Sequence, residues 1–192
     1  MTTFAQLAAA TRSYRSFDRS VPLTREELAA FVECARLAPS SRNLQMLKFR
    51  LVTNPAECAA LLPHTRWAAL LRELRLPPAG HEPPAYIVIC ADTRLAPDPA
   101  PFQRDVGICA QCILLAATEA GFGGCMIGSF NPDGVRLALE LPGCLPPQLV
   151  LALGKPDETV CLTSPGPDGS IAYFRRDGVH MVPKRQLEEL IF

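Results

Sequence analysis

Asp105-Val-Gly-Ile-Cys-Ala-Gln-Cys-Ile-Leu-Leu-Ala-Ala-Thr-Glu-Ala120 runs straight into Gly121-Phe-Gly-Gly124 and Cys125-Met-Ile-Gly128. From Val106 to Ala120 the residues are apolar almost all round, so this stretch reads as a long helix buried in the domain or in a subunit interface. Asp105 is placed to cap it. The glycines close the helix, and a short strand follows at 125–128. Outward from there, Tyr86–Ala91 is a continuous apolar strand, hence central in a sheet. Leu149–Leu153 is a second buried strand, ending at Gly154-Lys155-Pro156. Leu47, Phe49 and Leu51 alternate with Lys48 and Arg50, which predicts a half-buried strand to Val52.

The remaining helices carry their own start and stop signals. Phe4, Leu7 and Ala8 share one face of a helix over residues 4–11. Thr24-Arg-Glu-Glu27 is a capping box opening a helix with the apolar face Leu28, Phe31, Val32 and Ala35; Pro39 ends it. Asn54-Pro55 and Asn131-Pro132 each start a helix by placing a cap before a proline. A further short helix is predicted from Trp67 to Leu74, and a last one in the tail through Leu190. Pro77–Pro84 is a loop rather than a domain boundary, because the flanking chains are too short to stand alone. Helices and strands mix without βαβ alternation. This predicts one α+β domain over residues 1–192, with a helix-flanked sheet of about four or five strands.

Composition removes several function classes. With 19 basic and 19 acidic residues the formal charge is zero, which argues against nucleic acid or an anionic membrane as the partner. No stretch has the apolar length of a membrane span, and the N-terminus lacks a signal-peptide pattern. The expectation is a soluble, cytoplasmic protein. The eight cysteines lie mostly in apolar runs and read as reduced core thiols. Cys109-Ala-Gln-Cys112 has redox-pair spacing, but it sits mid-helix rather than at a strand-to-helix turn. No second pair or paired histidine completes a zinc site. No glycine-rich phosphate motif appears between a strand and a helix.

Two segments carry candidate chemistry. Arg12-Ser-Tyr-Arg-Ser-Phe17 gathers two guanidinium groups and two serine hydroxyls around a turn, a set suited to a phosphate ester. Ala38-Pro-Ser-Ser-Arg-Asn-Leu-Gln45 is an amide-rich loop suited to the donor and acceptor edge of a flat heterocycle. Together they point to a phosphorylated ring cofactor.

These two segments, in this order, resemble the FMN-dependent nitroreductase family. So do Asp105–Gly128, Leu149-Val-Leu-Ala-Leu-Gly-Lys-Pro156, Trp67-Ala68, Pro83-Pro-Ala-Tyr86 and Val182-Pro-Lys-Arg185. The last three look like a compact branch of that family, and the match runs in register over nearly the whole chain. The resemblance implies a mixed or antiparallel helix-flanked sheet. It also implies an obligate homodimer, with FMN at the subunit interface and a C-terminal segment reaching the partner.

Carried onto this chain, the resemblance assigns Arg12, Ser13 and Arg15 to the FMN phosphate, ribityl chain and pyrimidine edge. Arg15 falls near flavin N1 and O2. Thr11 stands where many members have a first arginine, a loss that Lys184 and Arg185 could offset. Ser40, Ser41, Asn43 and Gln45 match the loop that binds flavin from the other subunit. Gly128 and Ser129 match the backbone presented to flavin N5. Trp67 is a candidate to stack on substrate; His81 and Glu82 are weaker candidates for lining the site. No catalytic acid or base and no metal ligand is assigned. The implied activity is transfer of hydride from NAD(P)H to FMN and of electrons to a nitroaromatic, quinone, enone or flavin, in a ping-pong order. A non-catalytic FMN-binding storage or sensor protein is the alternative, and a thiol-redox role for Cys109 and Cys112 is a weaker one.

Overall fold

Strand β3 (Ala85–Ala91) is buried at every residue and divides the core by its pleat. Ala85, Ile87 and Ile89 face one helical layer, while Tyr86, Val88 and Cys90 face the other. The computed structural model describes residues 2–71 and 73–192. Its main sheet runs β1 (Phe17–Asp18), β5 (Pro147–Pro156), β3 and β2 (Leu47–Val52), with β4 (Gly123–Ile127) also on β5. Every pairing is antiparallel. Helices α2 (Arg25–Arg36) and α4 (Gln103–Glu119) cover one face through Leu28, Phe31, Ala110 and Ile113. Helices α3 (Pro55–Leu61) and α5 (Pro132–Ala138) cover the other through Cys58, Leu61 and Val135.

The start signals act as the sequence predicts. Thr24 and Glu27 form the capping box of α2, and the Asn54 and Asn131 side chains cap α3 and α5. Helix α1 (Phe4–Ala10) has no buried residue in the single chain, and Phe4 is 73% exposed. α4 is not buried all round: Gly107, Ile108 and Gln111 form an exposed stripe. Asp105 does not cap it, because the helix already begins at Gln103 and Asp105 lies in its first turn.

Two stretches depart from expectation. Residue 72 of the helix expected over Trp67–Leu74 lies outside the described residues, and the described ones form turns. Ala68 has φ 43°, a left-handed value that breaks a helix, and Leu71 N–H bonds to Ala68 O at 2.8 Å. Downstream, residues 160–183 build a second sheet on their own chain: β6 (Val160–Thr163) parallel to β8 (Val179–Pro183), with β7 (Phe174–Arg176) antiparallel to β8. The expected last helix is a single 3-10 turn, Leu187–Glu189.

Glycines dock the N-terminal turn onto the main sheet. Tyr14 N–H donates to Gly124 O at 3.0 Å, and Ser13 bridges Gly124 in parallel. A Cβ on Gly124 would run into Ala152 O and stand 2.8 Å from Leu114 Cδ2; one on Gly123 would stand 2.6 Å from the Tyr14 ring. Bare backbone lets the turn lie this close at Gly123, and lets β5 and α4 close on the strand at Gly124. Gly124→Ala is therefore expected to cost about 1–3 kcal/mol, the usual range for overpacking. Urea unfolding checks this, and a loss below about 0.5 kcal/mol, typical of an unconstrained surface site, would contradict the packing argument.

Candidate functional site

The turn between α1 and β1 presents both arginines to one cleft. Arg12 Nη2 folds back to Ala8 O at 2.8 Å, and Arg15 Nη1 donates to Ser13 O at 3.2 Å. The Nε atoms of both arginines are buried without a hydrogen-bond partner in the single chain. A cavity of 340 Å³ brings together Arg12, Ser13, Arg15, His180 and Lys184. Thr11 also lines it, but its hydroxyl is spent on Leu7 O (2.9 Å) and Thr118 Oγ1 (3.2 Å), tying α1 to α4. Lys184 is exposed, and its backbone N–H bonds to Thr163 O at 2.8 Å. Arg185 points elsewhere, pairing with Glu189 at 3.3 Å.

The second sheet forms the back wall, and this is the part of the site that the sequence did not reveal. The Glu158 side chain, 5% exposed, accepts the Arg15 backbone N–H on one oxygen and Arg175 Nη2 at 2.6 Å on the other. The Arg15 guanidinium lies 5.4 Å from the Tyr173 ring centre, in cation–π range. Tyr173 packs on His180, ring centres 5.4 Å apart, and Arg15 Nη1 comes within 3.4 Å of His180 Nε2. Arg15 is thus held from behind by a carboxylate and from the side by two rings.

His180 is 2% exposed. Burial first, then Arg15 and Arg175, lower its pKa from 6.5 to about 4. Between those values the unfolded chain binds a proton that the folded chain refuses, so stability rises with pH across the window. It is lost on acidification from 6.5 towards 4 and level above 6.5. The shift corresponds to roughly 3 kcal/mol. Denaturant titrations from pH 4 to 7 should show a slope that His180→Gln flattens; equal slopes in the two proteins would contradict a buried neutral imidazole.

Past Arg15 the cleft widens to 480 Å³ and takes in Arg66, Trp67, Gly128, Ser129 and Tyr173. The Trp67 indole N–H is fixed on Thr65 Oγ1 at 2.8 Å, which turns the ring into the lining. Arg66 N–H donates to Ser129 O at 2.9 Å, and Thr65 bridges Phe130. A Cβ on Gly128 would meet nothing within 4 Å, so this glycine is not required by packing and leaves its backbone open to the cleft. His81 and Glu82 lie outside these cavities, paired with Asp157 (2.6 Å) and Arg19 (3.0 Å).

Ser40, Ser41, Asn43 and Gln45 do not join this cleft. Ser40 and Gln45 line a separate 390 Å³ cavity between α2 and β2. Asp105 anchors their loop, accepting Ser41 N–H at 2.8 Å and Ser41 Oγ–H at 3.0 Å. Arg42, Asn43 and Gln45 all have positive φ (56°, 53° and 50°). Gln45 N–H bonds to Ser40 Oγ, and its amide to Asn43. Three left-handed residues in one loop are a strained arrangement of the kind found at ligand sites.

The Cys109 thiol is not activated. Burial pushes Cys109 up to about 11, the opposite of what a redox thiolate needs. All eight cysteines are free. Among the described residues no His, Cys, Asp and Glu group could hold a metal, and no helix is long and apolar enough to cross a membrane. What remains is a cationic cleft with buried guanidinium donors, an aromatic wall and an open backbone edge, able to hold a flat molecule bearing an anion.

The chain is also similar to known proteins. The model of the nitroreductase family matches residues 8–155. YodC of Bacillus subtilis, named provisionally as an NAD(P)H nitroreductase, is 25% identical over 182 residues, covering 81% of this chain and 90% of its own. An FMN-dependent nitroreductase from Clostridium difficile shares the fold with a TM-score of 0.62 at 24% identity, over 79% of this chain and 87% of that one. The NADPH:FMN oxidoreductase of Vibrio harveyi, solved with NAD+, aligns with a TM-score of 0.63 at 26% identity, over 80% of this chain and 69% of that one.

Proposed function

Because the chain belongs to the nitroreductase family, we propose that it is an NAD(P)H-dependent FMN oxidoreductase. The observation that carries this reading is the convergence of Arg12, Ser13, Arg15 and Lys184 on one cleft, with two guanidinium Nε atoms buried and unpartnered. The donor set fits the group. Arg12, Ser13 and Lys184 would hold the phosphate, and Arg15 the electron-rich pyrimidine edge. Gly128, which carries no Cβ, and the neighbouring Ser129 would offer open backbone at the ring centre. Bound FMN would supply the redox chemistry, accepting hydride equivalents from reduced nicotinamide and passing electrons to an electron-poor acceptor.

The chain's own part is to bind, orient and exclude water. A fixed Arg15 cation favours the negative charge that builds on that edge during reduction. Trp67 gives donor and acceptor a common apolar surface, which forces them to take turns and makes the kinetics ping-pong. We further propose a homodimer in which Ser40, Ser41, Asn43 and Gln45 serve the flavin of the other subunit. The exposed stripe of α4, the uncovered α1, and Leu187, Leu190 and Ile191 at 62–67% exposure supply surface for it. A cytoplasmic setting suits the eight free thiols.

Steady-state rates over a matrix of NADH or NADPH and a nitroaromatic or quinone test the reading. Parallel double-reciprocal lines are expected. Flavin that is bound but never turned over with any acceptor would favour the storage or sensor alternative and reject the enzyme.

A further inference from the structure

The cleft does not end at Gly128 and Ser129. A second cavity, 520 Å³, opens on their far side and shares Arg66 with the first; its other walls include His64, Phe130 and Asn131. Arg66 stands at the junction, fixed through its backbone to Ser129 O at 2.9 Å. Arg15, the other arginine of the first cavity, is committed to Ser13 O, His180 and Tyr173. Among the described residues the Arg66 guanidinium has no ion-pair or hydrogen-bond partner, and it is exposed. Neither cavity has an Asp or Glu in its lining. Trp67 follows Arg66 directly and turns its indole into the same space.

We infer that Arg66 is a specificity-determining residue that selects acceptors carrying a carboxylate on an aromatic ring. The inference rests on the flavin-oxidoreductase reading of the cleft and names the substrate class for it. Two recognitions combine at this place. An unspent guanidinium fork matches a carboxylate in two-point geometry, and an adjacent indole face matches a planar ring. A lining free of carboxylates means that an acid meets attraction without a nearby like charge. A neutral nitroaromatic or quinone offers the guanidinium only uncharged acceptor oxygens, so it gains less from the fork than a carboxylate does.

The test compares 4-nitrobenzoate with 4-nitrobenzamide, which match in shape and differ in charge. With the FMN-loaded protein at low salt, Arg66→Gln should lower the ratio of kcat/KM for nitrobenzoate over nitrobenzamide by about tenfold, carried by the KM for nitrobenzoate. Arg66→Lys should recover part of the ratio, because it keeps the charge and loses the fork. Calorimetry with benzoate and benzamide reads the same preference without turnover: benzoate should bind more tightly, and Arg66→Gln should erase the difference.

An unchanged ratio with benzoate and benzamide binding alike would overturn the inference. So would an unchanged ratio with a raised KM for NADH or NADPH, which would assign Arg66 to the dinucleotide phosphates. If the wild type bound no flavin and reduced neither nitro compound, the reading of the cleft would fall. The benzoate preference would still be decided by the calorimetric arm.

Discussion

Arg15→Ala is expected to weaken FMN binding by about 100-fold, equivalent to one or two charge-assisted hydrogen bonds. The size follows from the way Arg15 is prepared. Its guanidinium is set by Ser13 O, Tyr173 and His180 before any ligand arrives, and its Nε is buried without a partner. Little side-chain entropy is left to lose on binding, so most of the interaction appears as affinity. Arg15→Lys should restore only a part, because an ammonium on a flexible stem cannot reproduce the planar fork. Lys184→Ala should cost less, since Lys184 is exposed and screened. Fluorescence titration of the flavin-free protein with FMN measures all three. Equal losses for Arg15→Ala and Lys184→Ala would contradict the distinct place given to Arg15.

Glu158→Ala should be the most damaging change to the scaffold of the site, with a loss of about 2–4 kcal/mol in folding stability. Its carboxylate is nearly buried and serves two donors from distant parts of the chain, the Arg15 backbone and the Arg175 guanidinium. Removing it leaves Arg175, whose side chain is 28% exposed, without its counter-charge and leaves a backbone N–H unmet. Glu158→Gln should cost less, because one acceptor oxygen remains. FMN affinity should fall most in Glu158→Ala, where Arg15 loses its support, and less in Glu158→Gln. Urea unfolding with and without FMN checks the two effects. A change under about 0.5 kcal/mol, as at an ordinary surface site, would show that the pair is solvated.

Local signals and long-range ones fared differently in the sequence. The capping box at Thr24, the Asn-Pro starts at 54 and 131, and the unbroken apolar run of β3 each depend on neighbours within a few residues, and each is found in place. An α+β sheet of about four or five strands followed from them; the two-residue β1 that completes the five was not legible. The second sheet did not. Its strands are three to five residues long, β7 is Phe-Arg-Arg with no alternation, and β6 finds its parallel partner β8 only beyond a loop and β7.

The site divides along the same line. Arg12, Ser13 and Arg15 were legible because they sit together in one turn. Glu158 was not, because its link to Arg15 spans 143 positions. Asp105 reads as a helix cap because it precedes an apolar run; the structure uses it to hold the Ser41 loop instead. The helix expected at Trp67–Leu74 had apolar residues at suitable spacing, but the extended Thr65–Phe130 bridge and the left-handed Ala68 override that periodicity.

The most direct test of the account is the visible absorption spectrum of the purified protein, followed without oxygen as NADH or NADPH is added. The account predicts flavin bands that belong to FMN and that bleach with at least one of the two donors. A protein that shows no flavin bands and fails to bind added FMN would contradict it.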